Sequence, residues 1–485
     1  MSLTSTLNNA LSGLSVNARR IELVSSNVAN ATTEGYARRE AEVTSASLGG
    51  RGDGVRFLGV ERVLNKFVLQ DLRLANGSVA GQDTRRGFLA VVSELLGQPD
   101  DPGSLTGRLT RLETALTEAA ASPGAETRLA AVADAVSDIS GFLNDSSDQI
   151  QAERLRADGM IAEQIDNLNA KLQQVVELNR DIRSFSGTGH DTAAMLDQRQ
   201  RIIDEISTIV PVKEVAREHD QVALITLGGV QLVDGNAARI EFQNVSTITP
   251  EMSVALGGLF LPTVNGEPIA GGIPGPRLGG GSLEALFDVR DNIAPAAQAR
   301  LDGFARELVE RFQDPATDPT LAVGTPGLFT DDGGAFDPLD EVGLAGRLKL
   351  NALADPSAGG QLWRIRSGLG ALTPSANGDG TRIAALSEAL TRSQVPGTTT
   401  FGAASRRLVD LASEIISRQS GELATKETTL TYSQARAETL KRRFLEDGVD
   451  TDQEMQKLLQ IEQAYAANAK VVSTVDELLQ QLMAI

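Results

Sequence analysis

From Leu458 to the end of the chain, side chains step three, four, three, four without a break: Leu458, Ile461, Tyr465, Asn468, Val472, Val475, Leu479 and Leu482. A seven-residue repeat of this kind marks a helix that must lie along another helix, because its apolar seam closes only against a facing seam. The first residues show the same spacing at Leu7, Leu11, Leu14, Ala18, Ile21, Ser25 and Val28. At about 1.5 Å per residue this N-terminal helix is roughly 35 to 40 Å long. A plain amphipathic helix packed on its own domain would show one such stripe. Two stripes, one at each end, make each the natural partner of the other, so the chain is expected to fold back until its ends meet. Upstream of the C-terminal stripe, Thr451 and Glu454 stand at capping-box spacing, and Asp450 and Asp452 suit a positive helix start. Asn468, polar within the seam, fixes register at some cost in stability. Ordering both ends costs backbone entropy comparable with what their apolar faces return. The ends are therefore expected to need further subunits to become ordered.

Between the ends the texture changes. Phe67 to Phe185 reads as helical, broken at residues 98–103 and 122–124 by Pro, Gly and Asp. Its clearest stripe is Ile161, Ile165, Leu168, Leu172, Val175, Asn179 and Ile182. A helix follows from Ala193 to Ile209 and stops ahead of Pro211. Residues 211–282 then read as β: "QVALITL", a Gly228-Gly229 turn, "VQLV", Asp234-Gly235 and "ARIEF". Helical spacing resumes near Leu283, with Pro295 either opening or kinking the helix.

The expected divisions are a heptad helix and extended joint over 1–50, pairing with 450–485; a helical stem over 51–210, 283–315 and 403–449; a β-rich outer domain over 211–282; and an unplaced Gly/Pro-rich segment over 316–402. The fold class is mainly α with a β-rich insertion: a long helical stem of paired N- and C-terminal coiled-coil segments, carrying a mid-sequence β-rich outer domain.

The chemistry of the chain is notable for what it lacks. Its 485 residues carry a net charge of −19, so nucleic acid is not the expected partner. Arg19-Arg20, Arg38-Arg39 and Lys441-Arg442-Arg443 read as solvated faces or local pairing sites. There is no cysteine, which removes disulfides and thiolate chemistry. No window approaches 18 apolar residues, so no membrane insertion is expected, and Met1 to Arg20 lacks the organisation of a cleaved secretory signal. His190 and His219 sit in polar contexts with no second ligand at metal spacing and read as surface loop residues. The glycines of "LGGGSLEALF" lack the ending of a phosphate loop and read as a flexible linker. "NGDGTRIAALSE" resembles a calcium loop in part, but its twelfth ligand position falls on Leu386, so a helix-capping turn is expected. No catalytic residue, cofactor or metal site is expected, and the chain is not expected to be an enzyme.

The stretch "ALSGLSVNARRIELVSSNVANATTEGYARRE" resembles the N-terminal signature of flagellar axial proteins, the rod, hook and hook-associated family. Asn27, Asn30, Gly35 and Tyr36 match its pattern of a helix, an Asn-rich stop and a turn. Physically, Asn30 and Thr32-Thr33 favour leaving the helix and Gly35 gives the turn backbone freedom, leaving Tyr36 and Arg38 to meet a neighbour. The C-terminus, "GVDTDQEMQKLLQIEQAYAANAKVVSTVDELLQQLMAI", is similar to the matching tail. "LDQRQRIIDEIS" and "FDVRDNIAPAAQARLDGFA" narrow the resemblance to hook-associated members. It is weakest over residues 313–402.

The resemblance implies a non-enzymatic structural subunit: a homo-oligomer in a ring between hook and filament, contacting hook subunits and the next hook-associated protein at the filament side. It also implies unfolded export by the flagellar type III apparatus, and a cytoplasmic export chaperone on the C-terminal helix. The location implied is extracellular, on the flagellum, after a transient cytoplasmic stage. The expected assembly interface is the two stripes with the joint: Leu7, Leu11, Leu14, Ile21, Asn27, Val28, Asn30, Gly35, Tyr36, Arg38, Leu458, Ile461, Tyr465, Asn468, Val472, Val475, Leu479 and Leu482. A hook or rod subunit of the same family is the nearest alternative, and a cytosolic coiled-coil adaptor is the alternative from another class.

Overall fold

The structure, a computed structural model, describes residues 3–33, 35–48, 51–186, 191–269 and 278–483. His190 and most of the loop leaving the β-rich region (270–277) lie outside them. The chain opens with α1 (Leu3–Ala29), then an antiparallel hairpin of β1 (Arg38–Leu48) and β2 (Arg51–Val63). The hairpin corrects two expected divisions, since it takes in both the extended joint and the start of the segment read as helical.

The body begins with α2 (Lys66–Leu96), α3 (Leu105–Ala121), α4 (Glu126–Ser186) and α5 (Ala193–Ile209). The 61 residues of α4 span roughly 90 Å, and its stripe from Ile161 to Ile182 is buried at every expected position. Ser104 begins α3 by accepting from the Gly107 N–H at 3.2 Å, at the break the Pro-Asp-Gly run marks.

Strands β3 (Val212–Ala216), β4 (Val222–Thr226), β5 (Gln231–Asp234) and β6 (Asn236–Ala237) form an antiparallel sheet in sequence order. A smaller sheet holds β7 (Ile240–Glu241), β8 (Thr263–Val264) and β9 (Glu267–Pro268). All seven lie within residues 211–282, but they have no core of their own. Val212, Val222, Leu224, Val233 and Ile240 join the same apolar cluster as Ile165, Leu172 and Ile206.

Two asparagines on α4 explain the continuity. Asn179 donates to Val222 O at 2.8 Å and accepts from Val222 N at 3.2 Å. Asn169 does the same for Ile240, at 2.7 and 3.0 Å. Each side-chain amide takes the place of a strand neighbour, satisfying backbone groups that burial against a helix would leave unpaired.

After the sheets, α6 (Gly281–Asp288) passes through a π-helical turn (Val289–Ile293) into α7 (Ala294–Gln313). Pro295 therefore sits in the first turn of α7, and the wider turn ahead of it absorbs its missing N–H. The turn carries Arg290 inward, where it donates to Asp158 at 2.6 Å and lies over the Phe287 ring at 5.0 Å. The glycine tract before α6 is packed rather than a flexible linker: a Cβ at Gly281 would lie 2.2 Å from the Ile209 carbonyl oxygen.

Residues 316–402 wrap the body with β10 (Phe329–Asp331) paired to β11 (Leu348–Leu350), then α8 (Trp363–Ser367) and α9 (Thr381–Thr391). Asp379 accepts from the Thr381 N–H at 3.1 Å at the start of α9, and Leu386 is core. The partial calcium pattern is thus a helix-start turn. The chain closes with α10 (Leu408–Glu446) along α2 and α11 (Thr451–Met483) back along α1. No helix among the described residues is long and apolar enough to cross a membrane.

Asp302 on α7 pins the 343–346 loop, accepting from the Gly343 and Ala345 N–H groups at 2.9 Å each and from Gln298. Burial pushes its carboxyl up to about 6 in spite of these donors. The folded protein thus holds this proton more tightly than the unfolded chain, where the group titrates near 3.8. The contribution to stability is fully present below about pH 4 and is lost as pH rises through about 6. Urea unfolding at pH 4, 5, 6 and 7 should show a decline on the order of 3 kcal/mol from this group, and Asp302→Asn should remove that part of the slope.

Candidate assembly joint

Helices α1 and α11 run antiparallel, with Asn27 against Glu454 at one end and Gly13 against Asn468 further along. On α11 the stripe positions face α1 unevenly. Leu458, Ile461, Asn468 and Val472 are half-buried, Val475 is buried, and Tyr465 is 41% exposed. In the same register Leu3 falls opposite Leu478, so Leu479 and Leu482 reach past the start of α1, and Leu482 is 59% exposed.

The α1 side is one residue out of phase with the expected stripe. Ala10, Gly13, Val16, Asn17, Val24 and Asn27 are buried. Leu7, Leu14, Ile21 and Val28 are half-buried on the flank, and Leu11 is 48% exposed. Close approach is the physical reason. A Cβ at Gly13 would lie 2.7 Å from Asn468 Nδ2, so a leucine in the seam would hold the two helices apart.

The hairpin covers another side of α1. Val55 N donates to Ser12 Oγ at 3.2 Å, and the Arg19 guanidinium lies 5.0 Å from the Phe57 ring centroid.

At the top of the seam, Asn27 uses every hydrogen-bonding position of its amide. Nδ2 donates to Glu454 Oε2 at 2.8 Å and to Arg39 O at 2.9 Å. Oδ1 accepts from the Arg39 N–H and from the Tyr36 hydroxyl, both at 2.9 Å. Asn27 and Glu454 are each 1% exposed. One side chain thus ties the end of α1, the turn, the first strand and the start of α11.

The chain reaches this point through the turn that the Asn-rich stop suggests. Asn30 Nδ2 donates to Ser26 O and its Oδ1 accepts from Thr33 Oγ1. Gly35 has φ +76°, a region that favours glycine, and a Cβ there would lie 2.3 Å from Arg201 Cγ. Glu454 is therefore not part of a cap. Asp450 caps α11, accepting from the Asp452 and Gln453 N–H groups. This frees Glu454 to face Asn27, with Lys457 at 3.2 Å and Arg38 at 3.8 Å. Lys457 also donates to Glu40, whose carboxyl it holds below the usual range.

The body meets this joint at α5. Asp197 accepts from Arg39 NH2 at 3.0 Å, Arg62 Nε at 2.8 Å and Ala37 N at 3.3 Å, and Arg62 NH2 donates to Gln200 at 2.7 Å. Burial lowers the Arg62 pKa, with Asp197 opposing the shift. Arg62, Asp197 and Gln200 are missing from the residues singled out in the sequence; the signal for Arg62 is the charge in "GVERV", and Asp197 and Gln200 lie within "LDQRQRIIDEIS". No cluster of three or more His, Asp or Glu able to hold a metal occurs among the described residues.

The comparisons with known proteins fall on these same parts. Residues 89–327 match the helical domain of the flagellar hook-associated protein FlgK. Residues 446–485 match the C-terminal segment of the basal body rod FlgEFG proteins, and residues 7–36 match the flagella basal body rod protein family. Flagellar hook-associated protein 1 of Bacillus subtilis is 24% identical over 519 residues, covering 98% of this chain and 97% of that protein. Its namesake in Salmonella typhimurium is 28% identical over 249 residues, 49% of this chain and 44% of that one. The hook junction protein FlgK of Burkholderia pseudomallei overlaps 54% of this chain and 46% of its own, with a TM-score of 0.44 and 20% identity.

Replacing Asn27 by Asp would remove both donors and set a second carboxylate against Glu454. The expected cost to the α1–α11 pairing is about 3 kcal/mol or more. Hydrogen exchange checks it: α1 and α11 amides should lose protection in the variant while α4 amides keep theirs.

Proposed function

We propose that this chain is a flagellar hook-associated protein of the FlgK kind, a reading supported by its matches over residues 89–327, 446–485 and 7–36 and by its likeness over nearly its whole length to flagellar hook-associated protein 1 of Bacillus subtilis, and that it is a structural subunit of the junction between hook and filament. In this reading the paired ends of many copies form the inner wall of a ring, by coiled-coil packing, and the helical bodies meet laterally outside it. The observation that carries it is the stem itself, closed by Asn27 and Glu454 across the whole length of the chain. From Met1 to Ala18 there is no charged side chain. Leu11, Val471, Leu478, Leu479 and Leu482 stand exposed on a single chain. Such surface suits burial by further copies.

The neighbours in this reading are hook subunits below and the next hook-associated protein above. Delivery is as an unfolded chain through the flagellar type III apparatus, to an extracellular position. An export chaperone covers α11 beforehand, since a bare apolar helix in the cytoplasm invites aggregation. Ends paired within one molecule would also suit a cytosolic coiled-coil adaptor, and location separates the two.

Immunogold electron microscopy of intact flagella, with antibody against residues 211–282, tests the reading. A short labelled band between hook and filament is the expected result. Label along the hook would select a hook subunit, and label confined to the cell interior would overturn the flagellar role. Substitutions probe the mechanism. Val472→Asp places a charge in the seam and should abolish filament growth with the helical body still folded. Leu479→Asp, past the start of α1, should leave the single chain unchanged and block assembly alone. Normal filaments from both variants would overturn the coiled-coil account.

A further inference from the structure

The stem, comprising α1, the hairpin and α11, shares no apolar core with the body. The continuous core of the described residues runs from Phe88 on α2 to Ile416 on α10 and takes in no residue of α1, β1, β2 or α11. Covalently the two parts meet at short connections, residues 64–65 ahead of α2 and 447–450 ahead of α11. The polar contacts that cross between them among the described residues converge on one turn of α5. Arg39 from β1, Arg62 from β2 and the Ala37 N–H all donate to Asp197, and Gln200 accepts the second arm of Arg62.

We propose that Asp197 is a latch, a positioning residue that fixes the angle between stem and body and whose release lets the stem swing as a rigid unit. One buried carboxylate holds both strands of the hairpin, so both let go together. Charge-assisted bonds of this kind are directional and hold a geometry firmly, yet their opening exposes no core. The Asn27 hub lies wholly on the stem side, through Tyr36, Arg39 and Glu454. It therefore survives release, and the stem moves without unravelling. The use of such a latch rests on the junction reading: a subunit between two unlike neighbours must present one stem at more than one angle.

The absence of cysteine makes the test clean. Nitroxides on Glu22→Cys in α1 and Glu177→Cys in α4, both exposed positions, report the angle as a distance distribution by pulsed electron paramagnetic resonance. The expected result is one narrow distance in the parent chain and a distribution at least twice as broad in Asp197→Asn. Asp197→Glu, which keeps the charge, should restore a single distance, and Arg62→Ala should fall between. Hydrogen exchange on Asp197→Asn should show α1, α4 and α11 as protected as before. An unchanged distribution in Asp197→Asn would overturn the latch. So would loss of α1 and α11 protection, which would make Asp197 a prop for the stem's own fold. Both readouts use the isolated chain, so they stand apart from the junction reading, whose test is the labelled position on flagella.

Discussion

The side-chain amide of Asn27 is the point on which the stem depends. A buried amide with two donors and two acceptors is costly when any of them is unpaired, and here all four are met by groups from three different elements. Glu454 meets the Asn27 amide and lies beside Arg38 only when α11 is in the correct register, whereas Lys457, three residues on, accompanies it in any register. Gly13 and Asn468 mark the same register about four helical turns away. A slip of one position would take Glu454 from the Asn27 amide and drive Asn468 into the Cβ of Ser12 or Leu14.

The body answers a different problem: how to join sheets, turns and helices in one core without a second domain. Helix α4 is long enough for α3, α5, α6, α7 and strands of the β-rich region to pack on it, and its Asn169 and Asn179 pair with strand backbone as a neighbouring strand would. Arg154, buried on the same helix, donates to the carbonyls of Thr249, Met252 and Arg290 and so ties the loop after β7 to the π-helical turn. Polar groups fix position here, while apolar contact supplies the cohesion.

Much of this was legible in the sequence where one periodicity dominates. The stripe on α4 follows its spacing because large aliphatic residues there face the core. The α1 seam does not, since leucine spacing marks a wide apolar stripe while close approach requires Gly13 and Ala10. The hairpin is not legible in the sequence because neither face of "RREAEVTSASL" is apolar: its charges are met by Asp197 and Lys457, far away in the chain. The strands of the β-rich region are legible in the sequence but their continuity with the body is not, because nothing local in "QVALITL" reveals that Asn179 completes its hydrogen bonds. Asp197 lay inside a quoted motif, yet only the fold brings Arg39 and Arg62 to it.

The contact between Asn27 and Glu454 spans 427 positions of sequence. A pairing with that separation comes late, since the entropy of closing so large a loop must be met before the contact returns anything. It also cannot form at all in a chain that stops short. The stem therefore reads both halves of the chain at once: a product interrupted before Glu454 can fold around α4, but it leaves α1 without its partner helix and Asn27 without its carboxylate.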